Sequence, residues 1–273
     1  ACVLDIDKLR TEIKELIDAG VEHIYENLII DKRVHIINKH HIKEDIQNDK
    51  VGSTGSGIRP TYRDKFNRRG IRFIHLCDSP HNRVDLSNLQ IGDIYELLTK
   101  NPTANILCEG AQGFELDIDW GDYPYVTSSN CIAGYCCSAG IPSQTINNVY
   151  GICKLYETYV GKKSFQPDES VFIDLQKLGN EFGATTGRMR QCNWLNLNRL
   201  KRAIFVNGVT HLIINKCDIV QQLDVFKLYD ETDELRTFES LNEMKTYIQT
   251  FFKSAINGYF IQDIIFSSSK DNV

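Results

Sequence analysis

Apolar residues near the start of the chain recur at helical spacing. Ile6, Leu9, Ile13, Leu16 and Ile17 fall on one face, with Gly20 at the place of a left-handed closing residue, so a helix is expected over Asp5–Ala19. NLIID (27–31) and RVHII (33–37) read as short strands around a turn, and ANILCEGAQG (104–113) as a buried strand breaking into a loop at Glu109–Gly110. NNVYGICKLYETYVG (147–161) is again β-like. WLNLNRLKRAIFVNG (194–208) has the period of a helix, with Leu197, Leu200, Ile204 and Phe205 on one side and Gly208 at its end. HLIINKCD (211–218) is a continuous apolar run that ends on polar residues, the pattern of a central parallel strand. A helix at about 240–256 and a strand within 261–269 follow. Strands alternating with helices predict an α/β domain, a mostly parallel central sheet flanked by helices, with ligands at the carboxyl ends of its strands. No repeat or boundary shows, so residues 1–273 read as one domain.

Composition narrows the function. The chain has 273 residues and a net charge of −5, which argues against a nucleic-acid partner. No apolar run is long enough to span a bilayer, so no membrane partner is expected. Nine cysteines at irregular spacing form no CxxC pair, and no signal peptide precedes them; reduced thiols and a cytoplasmic location are expected. The chain opens at Ala1 directly in ordered-looking sequence, and a missing N-terminal region is expected.

Four polar clusters carry candidate chemistry. In Gly52-Ser53-Thr54-Gly55-Ser56-Gly57, small residues let backbone amides approach an anion, and Arg59, Arg63, Lys65, Arg68 and Arg69 follow. A solvated basic loop has the same composition. Residues 109–130 place Gln112 between glycines and add Thr127, Ser128 and Ser129; a surface turn over packed aromatics is the plainer reading. In GNEFGATTGRMRQCNW (179–194), Arg188 and Arg190 are spaced for bidentate contacts to carboxylates or phosphates, in a loop expected to lead into a helix. Asn215-Lys216-Cys217-Asp218 is an N-K-x-D pattern, whose Asp accepts from the two N–H donors of guanine while the Lys stem covers the base. His35, His40 and His41 read as structural or surface histidines.

Taken in order, GSTGSGIRPTYRDKFNRRGIRF, EGAQGFELDID, GDYPYVTSSN, GICKLYETYVG, GNEFGATTGRMR and NKCD resemble the adenylosuccinate synthetase family. The resemblance implies a P-loop NTPase-related α/β fold and a homodimer. It also implies ligation of L-aspartate to IMP at the expense of GTP, with Mg²⁺ as cofactor. It puts Thr54, Arg68, Gln112, Thr127, Val160 and Arg188 at the IMP, with Arg68 reaching the IMP of the neighbouring subunit. Ala184, Thr185, Thr186, Gly187 and Arg188 would take the aspartate. Arg190, Lys216, Cys217, Asp218, Ser267, Ser268 and Ser269 would take the GTP.

Departures accompany the match. The family's Gly-Asp-Glu-Gly-Lys-Gly-Lys loop, with the catalytic base and a Mg²⁺ ligand, occurs nowhere in these residues, nor does the Gly-His-Thr motif with the general acid. No catalytic residue and no metal ligand is therefore assigned, and the chain alone is expected not to turn over. The stretch between Arg72 and Asn105 is short, and Ser269 replaces a usual glycine. Shortened viral members of the family act on dGMP, which leaves a dGMP ligase as the alternative, besides a non-catalytic nucleotide-binding remnant.

Overall fold

After β1 (Val3–Leu4), the first helix α1 (Ile6–Asp18) starts where the Asp5 carboxylate accepts the backbone N–H groups of Asp7 and Lys8, at 3.0 and 3.1 Å. Gly20, at φ +88°, turns the chain out of it as the sequence predicts. Ile6 and Ile13 are buried, whereas Leu16 and Ile17 stay about half exposed. The computed structural model describes residues 2–77, 86, 88–183, 186–255 and 261–269. By its contacts the chain divides into two compact units, residues 1–131 with 135–143, and residues 132–134 with 144–273.

In the first unit, α2 (Ile24–Asn27) leads to β2 (Ile29–Asp31) and β3 (His35–Ile36). Then come α3 (Lys39–Gln47), α4 (Ile58–Phe66), α5 (Phe73–Cys77), β4 (Gln90–Gly92), α6 (Ile94–Lys100) and α7 (Tyr135–Ser138). The strand pieces on either side of the turn at Lys32 do not pair with each other. β2 runs parallel to β4, and β3 parallel to β1. Ile6, Ile30, Ile36 and Phe73 form the buried cluster between these pairs and their helices.

The expected buried strand at 104–113 is not there. Residues 104–113 form neither helix nor strand, and Ile106 and Leu107 are 50% and 88% exposed. A short apolar run becomes a strand only when a neighbour takes its backbone groups. Among the described residues no strand pairs with this one.

The second unit is built on β5 (Tyr150–Lys154), β6 (Tyr156–Tyr159), α8 (Val171–Leu178), β7 (Gln191–Asn196), α9 (Leu197–Asn207) and β8 (His211–Asn215). It continues through α10 (Cys217–Leu223), β9 (Phe226–Tyr229), β10 (Leu235–Phe238), α11 (Leu241–Ala255) and β11 (Asp263–Phe266). A parallel sheet runs in the order β11-β8-β5, with β8 at its centre as the apolar run predicts. A four-stranded sheet, β10-β9-β7-β6, pairs β7 with β9 in parallel and its outer strands antiparallel. Phe172, Leu175, Trp194, Leu212, Ile214, Met244 and Ile248 lie in one core beneath these sheets.

The helix expected from Trp194 begins only at Leu197. The Asn196 side chain accepts the Arg199 amide at 2.9 Å and sets that start, while Trp194 and Leu195 are buried in β7. The 182–190 loop therefore feeds a strand, not a helix. Among the described residues no helix is long and apolar enough to cross a membrane, and the nine cysteines are free thiols.

Candidate functional site

In the second unit the carboxyl ends of β5, β8 and β11 lie side by side. Lys154 pairs in register with Asn215, and Phe266 with Ile214. The chain leaves β8 through Lys216, held in the left-handed region at φ +64°, and enters α10 at Cys217. The Cys217 amide donates to the Ser267 carbonyl at 3.2 Å, and the Ser267 amide to the Ile214 carbonyl at 2.9 Å. The Ser267 hydroxyl donates to the Ser269 carbonyl at 3.0 Å. The fold thus brings Lys216, Cys217 and Asp218 together with Ser267, Ser268 and Ser269, a pairing of segments about fifty residues apart in sequence. Asn215 Oδ1, buried at the same place, has no hydrogen-bond partner among the described residues.

The arginine loop sits beside them. Phe182 and Met189 bridge antiparallel, and the amides of Gly183 and Arg190 donate to the carbonyls of Arg188 and Glu181, at 2.8 and 2.9 Å. These bonds close residues 181–183 against 188–190 as the two arms of a hairpin. Alternation along its second arm sends Arg188 and Arg190 to one side, with Met189 opposite and 55% exposed. The Arg188 Nε donates to the Thr186 hydroxyl at 3.2 Å, and Gly187 turns at φ +62°. Ala184 and Thr185 lie outside the described residues. Lys216 Nζ reaches across to the Gly179 carbonyl at 3.0 Å, which ties the end of β8 to the start of this hairpin.

At the base of the hairpin is a charged cluster that the sequence motifs alone did not single out. Glu181 is fully buried. Its carboxylate accepts from Lys154 Nζ at 2.8 and 2.7 Å, from the Tyr156 hydroxyl at 2.5 Å and from Arg190 at 2.7 Å. Burial alone would raise its carboxyl, but the hydrogen bonds from Lys154, Tyr156 and Arg190 outweigh burial and hold it below the usual carboxylate range. Burial and the neighbouring carboxylate push the Tyr156 phenol far up, and burial draws the Lys154 ammonium down despite that carboxylate. A lysine inside the apolar strand YGICKLY was the readable sign, because such a charge is costly to bury alone.

The IMP candidates are spread over both units: Thr54, Arg68, Gln112 and Thr127 in the first, Val160 and Arg188 in the second. In the first unit the glycine-rich loop wraps inward around two acids. Asp49 accepts the amides of Gly52 and Ser53, both at 2.7 Å, and the buried Asp45 accepts the Gly57 amide and the Ser53 hydroxyl, at 3.0 and 3.1 Å. Three of the six amides of the expected anion cradle, those of Gly52, Ser53 and Gly57, are therefore taken by the protein's own carboxylates. The exposed Thr54 hydroxyl donates to Ser56 at 3.1 Å. Arg68, exposed at φ +61°, follows α4. Gln112 also has positive φ, and its side-chain Oε1 lies 4.0 Å from the Cys131 thiol. The Thr127 amide donates to the Leu116 carbonyl at 2.8 Å, and buried Asp117 holds the amides of Asp119, Trp120 and Cys131, so Gln112 and Thr127 share one pinned loop.

His40, His41 and Asp64 bring ligand atoms within 4.8 Å of one another. The Asn38 amide donates to His41 Nδ1 at 3.1 Å, which leaves the ring proton on Nε2, donated to Asp64 at 3.1 Å. This buried histidine caps α3 rather than offering a lone pair to a metal.

Comparison with known proteins decides the family. The sequence profile described as adenylosuccinate synthetase matches residues 1–91 and 86–251. The chain belongs to the adenylosuccinate synthetase family. It is 38% identical to adenylosuccinate synthetase of Thermodesulfovibrio yellowstonii and 36% identical to that of Desulfosudis oleivorans, over 83% of the chain in each case. The chain spans 63% of the length of both relatives. Its fold matches fully ligated adenylosuccinate synthetase from Plasmodium falciparum with a TM-score of 0.80 at 23% identity, over 98% of this chain and 81% of the other. It also matches the succinoaminodeoxyadenylate synthetase of cyanophage S-2L, bound to dGMP and dATP, with a TM-score of 0.65 at 21% identity, over 91% and 78% of the two chains. The α/β fold with parallel sheets between helices is thus that of adenylosuccinate synthetase.

Proposed function

We propose that this chain carries the nucleotide- and aspartate-binding part of a GTP-dependent ligase that joins L-aspartate to IMP, giving adenylosuccinate, GDP and phosphate. The observation that supports this most is the meeting of Lys216–Asp218 with Ser267–Ser269 at the ends of neighbouring parallel strands, beside the Arg188–Arg190 hairpin. Asp218 offers acceptors alone, matching the N1–H and amino group of guanine; adenine would present a lone pair to it. Arg190 faces the phosphates and Arg188, with Thr185, Thr186 and the Ala184–Gly187 backbone, takes the aspartate carboxylates. The family resemblance gives IMP contacts to each unit taken by itself, Thr54, Gln112 and Thr127 in the first and Val160 and Arg188 in the second, with Arg68 contributed by a second copy in a homodimer. Free thiols throughout fit a cytoplasmic setting.

In the reaction the purine C6 oxygen attacks the γ-phosphorus of GTP and GDP leaves. The aspartate nitrogen then attacks C6, and phosphate departs with the oxygen. Negative charge gathers on phosphoryl oxygens in both steps, so fixed guanidinium groups supply the stabilisation. Mg²⁺ would screen the phosphates. Glu181, a buried carboxylate beside this end of the sheet, already accepts from three partners and does not fit a metal. No Mg²⁺ ligand is assigned to this chain.

The test is displacement of a fluorescent GTP analogue from the 273-residue chain. GTP is expected to compete and ATP to fail; equal competition would remove the guanine reading. The short Arg72–Asn105 stretch and the likeness to the phage enzyme favour dGMP as a second reading of the purine acceptor. Fusing the chain to the preceding segment of a bacterial relative and supplying IMP or dGMP with aspartate and GTP separates the two by product mass.

A further inference from the structure

The three residues Gly179, Asn180 and Glu181 connect the two halves of the proposed GTP site. Gly179 lends its carbonyl to Lys216 Nζ at 3.0 Å, on the guanine side. Two residues on, Glu181 fixes one guanidinium nitrogen of Arg190, on the phosphate side, through Oε2 at 2.7 Å. The link is stiff. Asn180 sits at φ +51°, and the Glu181 amide and carbonyl are bonded to Gln176 and Arg190 at 2.9 Å each. A Cβ on Gly179 would lie 2.5 Å from the Tyr156 hydroxyl, so only glycine lets that hydroxyl close in on Glu181. Glu181 takes one of the five N–H groups of Arg190 and orients the planar fork, while Lys154 and Tyr156 hold the carboxylate from behind.

We propose that Glu181 is a positioning residue for GTP: through Arg190 it sets where the phosphate-binding guanidinium stands relative to the guanine reader at Lys216–Asp218. This rests on the nucleotide reading above and deepens it. The cluster of Lys154, Arg190 and Glu181 carries a net charge of +1, so two roles for the carboxylate predict opposite signs. If Glu181 only moderated charge, Glu181→Gln would raise the local charge and tighten binding of a triphosphate, with a steeper salt dependence. If Glu181 positions Arg190, the same substitution loosens the fork and weakens binding despite the added positive charge.

The experiment measures affinities of the chain for GTP and for guanosine, with a fluorescent guanine nucleotide as probe, in Glu181→Gln, Glu181→Asp and Arg190→Gln. Glu181→Gln is expected to lose about tenfold in GTP affinity with guanosine affinity kept, the size of one charge-assisted hydrogen bond. The double variant Glu181→Gln/Arg190→Gln is expected to be no worse than Arg190→Gln alone. Glu181→Asp keeps the charge but retracts it by one methylene, and an intermediate loss is expected; it serves if the glutamine variant does not fold. GTP binding that is unchanged or tighter in Glu181→Gln, or additive losses in the double variant, overturns the proposal. Wild-type chain that binds no guanine nucleotide overturns the nucleotide reading itself and this inference with it.

Discussion

A single carboxylate decides which base the proposed site reads. Asp218→Asn exchanges an acceptor for a donor, so preference is expected to move from GTP towards XTP, whose C2 carries an oxygen; nucleotide competition reads this directly. Glu181 gives the molecule an acid sensitivity. Its carboxyl is held below the ordinary range, so the stability it confers is present above the unfolded-state value and is lost as pH falls through the lower native one. Unfolding midpoints between those two values should therefore fall with pH more steeply in the wild type than in Glu181→Gln. The thiols divide by environment. Burial raises Cys153 and Cys192 to about 12, whereas Cys2, Cys108 and Cys137 are exposed. Alkylation at neutral pH, followed by mass spectrometry, should label the exposed three first and reach Cys153 and Cys192 only on unfolding. Of these residues Asp218 was legible as sequence, because a four-residue pattern at the end of an apolar run states its own geometry. Glu181 was not, since its importance lies in Lys154 and Tyr156, which reach it from the end of β5 and the start of β6.

Among the elements, local rules succeeded where a helix or strand satisfies itself and failed where a neighbour decides. α1, β8 and α11 carry their period in sequence and form close to where it places them. α9 loses its expected first turn because β7 claims Trp194 and Leu195 for the four-stranded sheet, leaving Asn196 as cap. Asn196→Ala should cost about 1 kcal/mol in denaturant unfolding, the worth of that cap. Residues 104–113 carry strand-like composition but find no partner strand among the described residues, so the pattern has nothing to act on. Gly179→Ala is expected to destabilise by about 1–3 kcal/mol, since the added methyl meets the Tyr156 hydroxyl and the Leu175 carbonyl. Its unfolding midpoint checks this, and Tyr156→Phe in the same background should recover part of the loss.

For the molecule as a whole, the division into two units was not readable, because no glycine- or proline-rich linker marks it and residues 132–134 belong with the second unit. The proposed dimer can be tested in a form that turns over. Arg68→Leu and Arg188→Leu chains, each inactive, should on mixing recover about a quarter of wild-type activity, since half the random dimers have one intact site of two. No recovery despite proven mixing would mean that each site is built within one chain. The order of the parallel sheet also has a consequence for how the protein is made. β8 lies between β5, which precedes it by some sixty residues, and β11, which follows after fifty. During synthesis the central strand emerges with one edge open and acquires its second neighbour only when Asp263–Phe266 has left the ribosome. Ser267 to Ser269 arrive with that same strand, so the proposed guanine-reading end of the sheet becomes complete in the step that closes its exposed edge.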